Sequence, residues 1–96
     1  MDSKFEWDKQ KAAANIKKHG VTFDEAVTVF DDPLAGVFND AEHSFDERRE
    51  IIIGESIFRE LLIVSFTERG EGVIRIISAR SATKPERHEY EENQPF

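Results

Sequence analysis

Helical periodicity dominates the first third of the chain. Phe5-Glu6-Trp7 could form a short edge strand, after which Asp8 is placed to cap a helix that runs to about His19. The apolar members of this helix include Ala12, Ala13 and Ile16. Gly20 follows as the residue expected to end the helix in a left-handed conformation.

A second helix is predicted to begin almost at once, because Thr22 and Glu25 have the spacing of a capping box. The apolar positions that follow share one helical face and are Phe23, Ala26, Val27 and Phe30. Asp31-Asp32-Pro33 ends this helix, because the residue before a proline disfavours helical backbone. Residues 8 to 31 should therefore form an antiparallel or angled helix pair.

Beyond Pro33 the apolar spacing changes to two or to short continuous runs, which is typical of strands. Four strands are predicted, and they are Leu34 to Phe38, Arg49 to Ile53, Glu60 to Thr67 and Val73 to Ala79. Turn residues at 54–56 and 68–72 indicate that the last three strands form an antiparallel meander with Leu61 to Phe66 in its middle. Thr83 to Glu86 repeats the capping spacing, so a short final helix should reach about Glu91.

This order of elements predicts an α+β fold. We expect one domain over residues 1–96, in which two N-terminal helices and a C-terminal helix cover one face of a mostly antiparallel sheet. The other face is then available for a ligand. No apolar run approaches the roughly 20 residues that cross a bilayer, and the first residues are polar, so we expect no membrane partner and a cytoplasmic location.

The formal net charge of -7 argues against indiscriminate binding to nucleic acid, which depends on cations that neutralise phosphates. The charge is segregated along the chain, however. Residues 21–58 carry two basic and ten acidic side chains, whereas residues 59–87 carry six basic and four acidic ones. The positive charge of the later strands is compatible with a local RNA site, and the acidic part of the chain would suit a basic protein partner.

Two arginines stand on the last predicted strand, where strict alternation puts Arg75 on one side and Arg80 on the other. In the functional interpretation, Arg75 grips a phosphate together with Arg80 at the strand end and Arg69 in the preceding turn, and these cations stabilise charge that develops during phosphoryl transfer. In the alternative interpretation, the arginines form ion pairs across strands with acids such as Glu60 and Glu68.

Two further segments carry candidate functional groups. His43, Glu47 and Arg48 combine an imidazole, a carboxylate and a guanidinium in a polar connection, the kind of segment that supplies proton-transfer groups. A solvated acidic loop explains the same residues equally well. On the final helix, the residues that could contact RNA or simply form an exposed face are Lys84, Arg87 and His88.

The sequence contains no recognisable motif for a metal or a cofactor. It has no cysteine, no His-Glu-x-x-His pair and no EF-hand loop, and we therefore expect no dedicated metal site and no cofactor. A Gly-rich phosphate loop and a Gly-x-Ser-x-Gly nucleophile elbow are also missing.

Several segments together resemble the BrnT toxin family over nearly the whole chain, from Phe5 to Tyr90. The segments are Phe5-Glu6-Trp7-Asp8, residues 15–26, Val29-Phe30-Asp31-Asp32-Pro33, Glu47-Arg48, Gly54, Ile76-Ile77-Ser78-Ala79-Arg80 and Glu86-Arg87-His88-Glu89-Tyr90. The resemblance implies a RelE-like fold and a toxin that blocks translation by cleaving RNA. The RNA would be either free or associated with the ribosome. The resemblance also implies neutralisation by a BrnA-type ribbon-helix-helix antitoxin, through which alone the toxin would reach promoter DNA.

Carried over to the matching positions, the resemblance favours Arg75 and Arg80 as the phosphate site. Glu47, Arg48 and His43 are the remaining candidates for catalysis. The competing hypothesis is a non-enzymatic binding module, which would act as the partner of an antitoxin and as a transcriptional co-regulator, with its arginines in a protein interface.

Overall fold

The computed structural model describes residues 4–43 and 48–93, apart from the side chain of His43. Three α-helices and five strands lie within these residues. The helices are α1 (Lys9–His19), α2 (Phe23–Thr28) and α3 (Lys84–Glu92), and the strands are β1 (Lys4–Glu6), β2 (Gly36–Asn39), β3 (Arg49–Glu55), β4 (Leu61–Glu68) and β5 (Val73–Ser81). Short 3₁₀ turns follow α2 at Val29–Asp31 and β2 at Ala41–His43. None of the described helices is long and apolar enough to cross a membrane.

The strands form one mixed sheet in the order β1-β5-β4-β3-β2. Strands β2 to β5 pair antiparallel, whereas β1 lies parallel to β5 at the edge of the sheet. The α+β class and the antiparallel meander are therefore as predicted. The short N-terminal strand is also present, one residue earlier than the pattern indicated.

Both N-terminal helices begin at the residues expected from their caps, and α1 ends at His19 as expected, whereas α2 ends at Thr28 and only the 3₁₀ turn Val29–Asp31 continues it to the predicted end. The Asp8 carboxylate accepts hydrogen bonds from the Gln10 and Lys11 N–H groups, and Gly20 adopts a φ of 71° after the last turn of α1. The Thr22 hydroxyl accepts from the Glu25 N–H at the start of α2. Only Ala12 of the apolar residues named on α1 is partly buried, since Ile16 is 48% exposed and the buried residue of this helix is Asn15.

The main core lies between the sheet and the two N-terminal helices. Its α2 contributions are Phe23 and Ala26, and the adjoining turn adds Val29. The strand residues on this face are Ile52, Leu62, Val64, Phe66, Ile76 and Ala79. Alternate side chains of β4, namely Leu62, Val64 and Phe66, therefore point to the two helices, which leaves the opposite face to the other set.

The prediction that all helices cover one face is wrong, because α3 packs on the opposite face of the sheet. A second apolar cluster there contains Ile53, Leu61 and Ile63 and is covered by Tyr90 of α3. The Tyr90 hydroxyl also donates a hydrogen bond of 2.7 Å to Asp32 Oδ2. Only part of the second face is therefore open to a ligand.

Candidate functional site

A β-bulge determines where the two arginines of β5 point. Ser65 of β4 pairs with Ser78, but the next residue, Phe66, pairs with Ile76, so Ile77 is an extra residue on β5. The extra residue reverses the alternation beyond it. Arg75 and Arg80 consequently lie on the same face of the sheet, and the prediction that they lie on opposite faces is wrong.

This face is the one opposite α1 and α2. Arg75 lies across from Thr67, and Arg80 lies across from Ile63, four residues earlier on the regular strand β4. Five positions along a strand separate the two arginines by roughly 15 Å at their Cα atoms. Ser65 and Ser78 lie between them on the same face, and both are partly buried.

Arg75 belongs to a cluster at the edge formed by β1. Its Nη1 atom donates a hydrogen bond of 2.9 Å to Glu6 Oε2, and Arg69 Nε lies 4.0 Å from the same oxygen. The side chains of Arg75 and Arg69 are 31% and 54% exposed. The structure therefore brings Arg69 and Arg75 together, as predicted, but the acid that joins them is Glu6 and neither Glu60 nor Glu68.

A third arginine shares this face, and the sequence did not single it out as a site residue. Arg49 at the start of β3 is in register with Thr67, which is in turn in register with Arg75. Two strand spacings place the Cα atoms of Arg49 and Arg75 roughly 10 Å apart. Arg49, Arg75 and Arg69 thus give one end of the open face a local concentration of positive charge.

Arg80 is held by its carboxylate partner through two hydrogen bonds, whereas Arg75 is held through one. The Nη1 and Nη2 atoms of Arg80 both donate to the Glu86 carboxylate, at 2.8 Å each, and Nη1 also donates to the Ser81 carbonyl. Glu86 accepts a further hydrogen bond from the Thr83 N–H and so completes the capping box of α3. This bidentate pair joins β5 to α3 and fixes the direction of the Arg80 guanidinium.

Stability should depend on pH through this pair. The Arg80 guanidinium, helped by the Thr83 N–H, lowers the pKa of Glu86 from 4.5 to about 2, and the Glu86 carboxylate in turn raises the pKa of Arg80. The Glu86 carboxylate binds a proton more readily in the unfolded chain than in the folded one. The stabilisation by the pair is therefore complete above about pH 5 and is lost as the pH falls towards 2. The pair is partly exposed, so its contribution should stay below about 1 kcal/mol.

The measurement compares the free energy of unfolding of the wild type and Glu86→Gln at about pH 7 and about pH 2.5. Glutamine preserves the capping box, so the comparison isolates the charge. We expect the difference between the two proteins to shrink at the lower pH. A difference that does not change with pH would show that the ionised pair makes no contribution.

A hollow of about 460 Å³ lies beside Arg80, between the sheet and α3. Its apolar wall includes Leu34, Phe38, Ile51, Ile53 and Ile63. Arg80, Glu86, Glu89, Tyr90 and Asn93 form the polar side. The face that carries the arginines therefore has a cationic end near β1 and a largely apolar hollow near β2.

The other predicted site residues do not all converge on this face. Arg48 donates to Asn39 Oδ1 of β2 through Nη2 at 3.1 Å, three strands away from Arg75. His88 Nε2 lies 3.0 Å from Glu92 Oε1 one turn later on α3, where Lys84 and Arg87 are also exposed. Glu47 and the His43 side chain lie outside the described part of the structure, so their predicted roles stay predictions.

The fold and the site define a small α+β protein whose open sheet face presents arginines held by carboxylates. A family model for the ribonuclease toxin BrnT of type II toxin-antitoxin systems matches residues 7–86. The 1.1 Å crystal structure of the Brucella abortus ribonuclease toxin BrnT is similar at a TM-score of 0.66 with 30% sequence identity, over 85% of this chain and 99% of that one. No curated protein sequence matches. The chain therefore belongs to the BrnT family, as its sequence predicted.

Proposed function

We propose that this chain is a RelE-like endoribonuclease toxin that acts in the cytoplasm and inhibits translation by cleaving RNA. In the proposed reaction, the 2'-hydroxyl oxygen of one nucleotide attacks the adjacent phosphorus. The new O–P bond forms as the bond to the 5'-oxygen breaks, which leaves a cyclic 2',3'-phosphate. A base accepts the 2'-hydroxyl proton, and an acid donates a proton to the departing 5'-oxygen.

The observation that supports this proposal best is the bulge at Ile77, which places Arg75 and Arg80 on one open face together with Arg49. An RNA strand on this face would meet fixed cations at both ends of β5. Preorganised guanidinium groups stabilise the extra negative charge of a five-coordinate phosphorus more than that of the ground state. This arrangement supplies the charge stabilisation that phosphoryl transfer needs, and our proposed reaction includes no metal.

Within this face, Arg75 is our first candidate for the reacting phosphate. Its one side-chain hydrogen bond within the described residues goes to Glu6, and a guanidinium has further N–H groups that can bind a phosphate. Arg80 gives both terminal nitrogens to Glu86, so we assign it to a flanking phosphate and to the connection between β5 and α3. The distance between the two arginines makes contact with one shared phosphate unfavourable.

We assign proton transfer to His43 and Glu47, with Arg48 as a further candidate. Glu47 lies only two residues before Arg49 in the chain, and Arg49 begins the strand that reaches the proposed site. Imidazole and carboxylate groups are the usual acids and bases of such reactions. Lys84, Arg87 and His88 are assigned to contacts with RNA beyond the cleavage site.

The partner in this proposal is a BrnA-type antitoxin with a ribbon-helix-helix DNA-binding domain. The toxin would contact promoter DNA only through that antitoxin. The acidic segment 21–58 supports a basic protein partner, because its net negative charge repels nucleic acid and attracts cationic surfaces. The RNA substrate of the toxin would be either free or held by the ribosome.

Induction of the chain with and without the antitoxin gene tests this proposal, with RNA integrity and growth as the measurements. We expect growth arrest and RNA fragments with cyclic phosphate ends when the chain is induced alone, and no effect when the antitoxin is present. Cleavage by the purified chain should persist in EDTA. If induction neither slows growth nor degrades RNA, the non-enzymatic binding module is the better hypothesis. The ion pairs that both arginines of β5 form with acids of the chain itself also favour that alternative.

A further inference from the structure

Strand β2 is an edge strand with an unusual amount of exposed apolar surface. It lies at the end of the strand order, and no described strand pairs with its outer side. Val37 and Phe38 are 52% and 46% exposed, and Leu34 just before the strand is 40% exposed. Edge strands are normally protected by charged side chains, prolines or bulges, because unpaired backbone groups attract other strands.

The hydrogen bonds between β2 and β3 show which backbone groups point outwards. The Asp40 N–H donates to the Arg49 carbonyl, and the register continues as Asn39 opposite Glu50 and Phe38 opposite Ile51. In an antiparallel ladder, bonded and non-bonded residues alternate. Phe38 and Gly36 therefore bond to β3, whereas the N–H and C=O groups of Val37 and Asn39 point to the free side.

The same alternation connects this edge to the hollow. Phe38 and Gly36 are opposite Ile51 and Ile53 on the face of the hollow, and Val37, which is opposite Ile52, also borders the hollow. The hollow therefore opens directly beside the free edge. An added strand would place every second side chain over the apolar wall of the hollow.

The charge around the edge selects the chemistry of the added strand. Glu86 and Glu89 line the hollow with Arg80, and the acidic residues that flank β2 in the chain are Asp31, Asp32, Asp40 and Glu42. Basic residues within 21–58 are restricted to Arg48 and Arg49. A strand with alternate large apolar residues and flanking lysines or arginines would complement both the hollow and its surroundings.

We propose that the free edge of β2 and the adjacent hollow bind an extended, basic segment of the protein antitoxin by strand addition. This inference rests on the antitoxin pairing that the family implies, but it does not depend on RNA cleavage by the chain. Because Arg80 lines the hollow, a bound segment also contacts one end of the proposed RNA site. Binding of the antitoxin and binding of RNA then exclude each other.

Val37→Pro tests the backbone part of this proposal. Proline removes an N–H group that points away from β3, so the existing ladder is retained while an added strand loses a donor and meets the ring. Val37→Thr is the matched control, because it keeps the N–H group and the branched shape. Val37→Pro should weaken binding to the purified antitoxin at least about tenfold relative to Val37→Thr.

Amide hydrogen exchange, measured by NMR, tests the same site without a mutation. The Val37 and Asn39 amides should exchange fast in the free chain and at least about tenfold more slowly in the antitoxin complex. The Phe38 amide, which bonds to β3, should be protected in both. If the complex forms without protecting Val37 and Asn39, and Val37→Pro binds as tightly as Val37→Thr, the proposal is wrong.

A charge placed in the hollow gives a third test with an internal control. Phe38→Glu should abolish binding, whereas Phe58→Glu, in an exposed hairpin turn where Phe58 is 71% exposed, should bind like the wild type. The reverse result would place the interface at the hairpin turn. Protection of Val37 that rises with chain concentration alone would identify a second copy as the occupant, and protection by RNA alone would identify RNA. Each of these outcomes would overturn the proposal, whereas loss of RNA cleavage alone would not.

Discussion

Replacing Arg75 with alanine is expected to slow RNA cleavage by the purified chain by about 10² to 10³-fold, the usual effect of removing one preorganised donor to a transition-state oxyanion. Arg75 Nη1 is held by Glu6 Oε2 at 2.9 Å, and the Arg75 side chain is 31% exposed on the open face. The loss should appear mainly in the rate at saturating RNA, because the charge on phosphorus grows only as the reaction proceeds. Single-turnover cleavage of a labelled oligonucleotide measures it.

The variant should still fold, since a partly exposed ion pair contributes at most about 1 kcal/mol. Arg75→Lys keeps the charge but not the planar fork, and we expect it to recover only part of the lost rate. Arg69→Ala, which removes a more exposed cation beside the same Glu6, serves as the matched control and should reduce the rate much less. If Arg75→Ala cleaves RNA as fast as the wild type, Arg75 has no role in catalysis.

Glu6→Gln separates the charge of the acid from that of the arginine. The amide oxygen can still accept a hydrogen bond from Arg75, but the negative charge beside the proposed phosphate site is gone. If Glu6 only positions Arg75, the variant should bind RNA more tightly at low salt and cleave it at a similar rate. A large fall in rate would instead assign Glu6 a direct part in proton transfer.

The sequence predicted the elements of this fold better than the directions of its side chains. The caps at Asp8, Thr22 and Thr83 are local signals, and each begins a helix in the structure. The bulge at Ile77 has no such signal, because Ile76 and Ile77 are both apolar and an unbroken pair does not show where alternation fails. The face of the sheet on which Arg80 lies therefore could not be derived from the pattern of apolar residues.

The same limit explains why Arg49 was missed. Ile51, Ile52 and Ile53 form an unbroken apolar run, so the pattern does not reveal which of the two preceding arginines shares a face with Arg75. The acid that holds Arg75 was also hidden, because Glu6 lies 69 residues away in the chain and meets Arg75 only through the parallel pairing of β1 with β5. Long-range register determines these contacts, and local periodicity does not encode it.

The position of α3 depends on tertiary packing in the same way. Its side chains are mostly polar, and only Tyr90 offers a large apolar surface, so helical periodicity alone does not indicate a preferred side of the sheet. The structure shows what decides the side. Tyr90 meets the apolar cluster of Ile53, Leu61 and Ile63, while its hydroxyl reaches Asp32 and the Arg80–Glu86 pair fixes the start of the helix.

Asn15 provides the second prediction with a large expected effect, because its buried side chain completes the edge of β5. Strand β1 pairs with β5 only as far as Arg75, and beyond this point the Asn15 amide takes the place of a neighbouring peptide. Its Oδ1 accepts from the Ala79 N–H at 3.1 Å, and its Nδ2 donates to the Ala79 and Val21 carbonyls at 2.8 Å and 2.9 Å. Ala79 is fully buried, so these backbone groups have no access to water.

Asn15→Ala should therefore lower the free energy of unfolding by about 3 kcal/mol, since it leaves buried backbone groups without partners. Urea denaturation measures this change. An unchanged slope of the free energy of unfolding against urea concentration would show that the wild type and the variant expose similar surface on unfolding. Asn15→Asp keeps the acceptor for Ala79 but directs a carboxylate at two carbonyl oxygens, so it should be no more stable than the alanine variant. Asn93→Ala removes an exposed hydrogen bond to the Glu89 carbonyl and should cost less than about 0.5 kcal/mol. A similarly small cost for Asn15→Ala would mean that the side chain does not hold β5 and that the strand keeps its bulged register, with Arg75 and Arg80 on one face, without it.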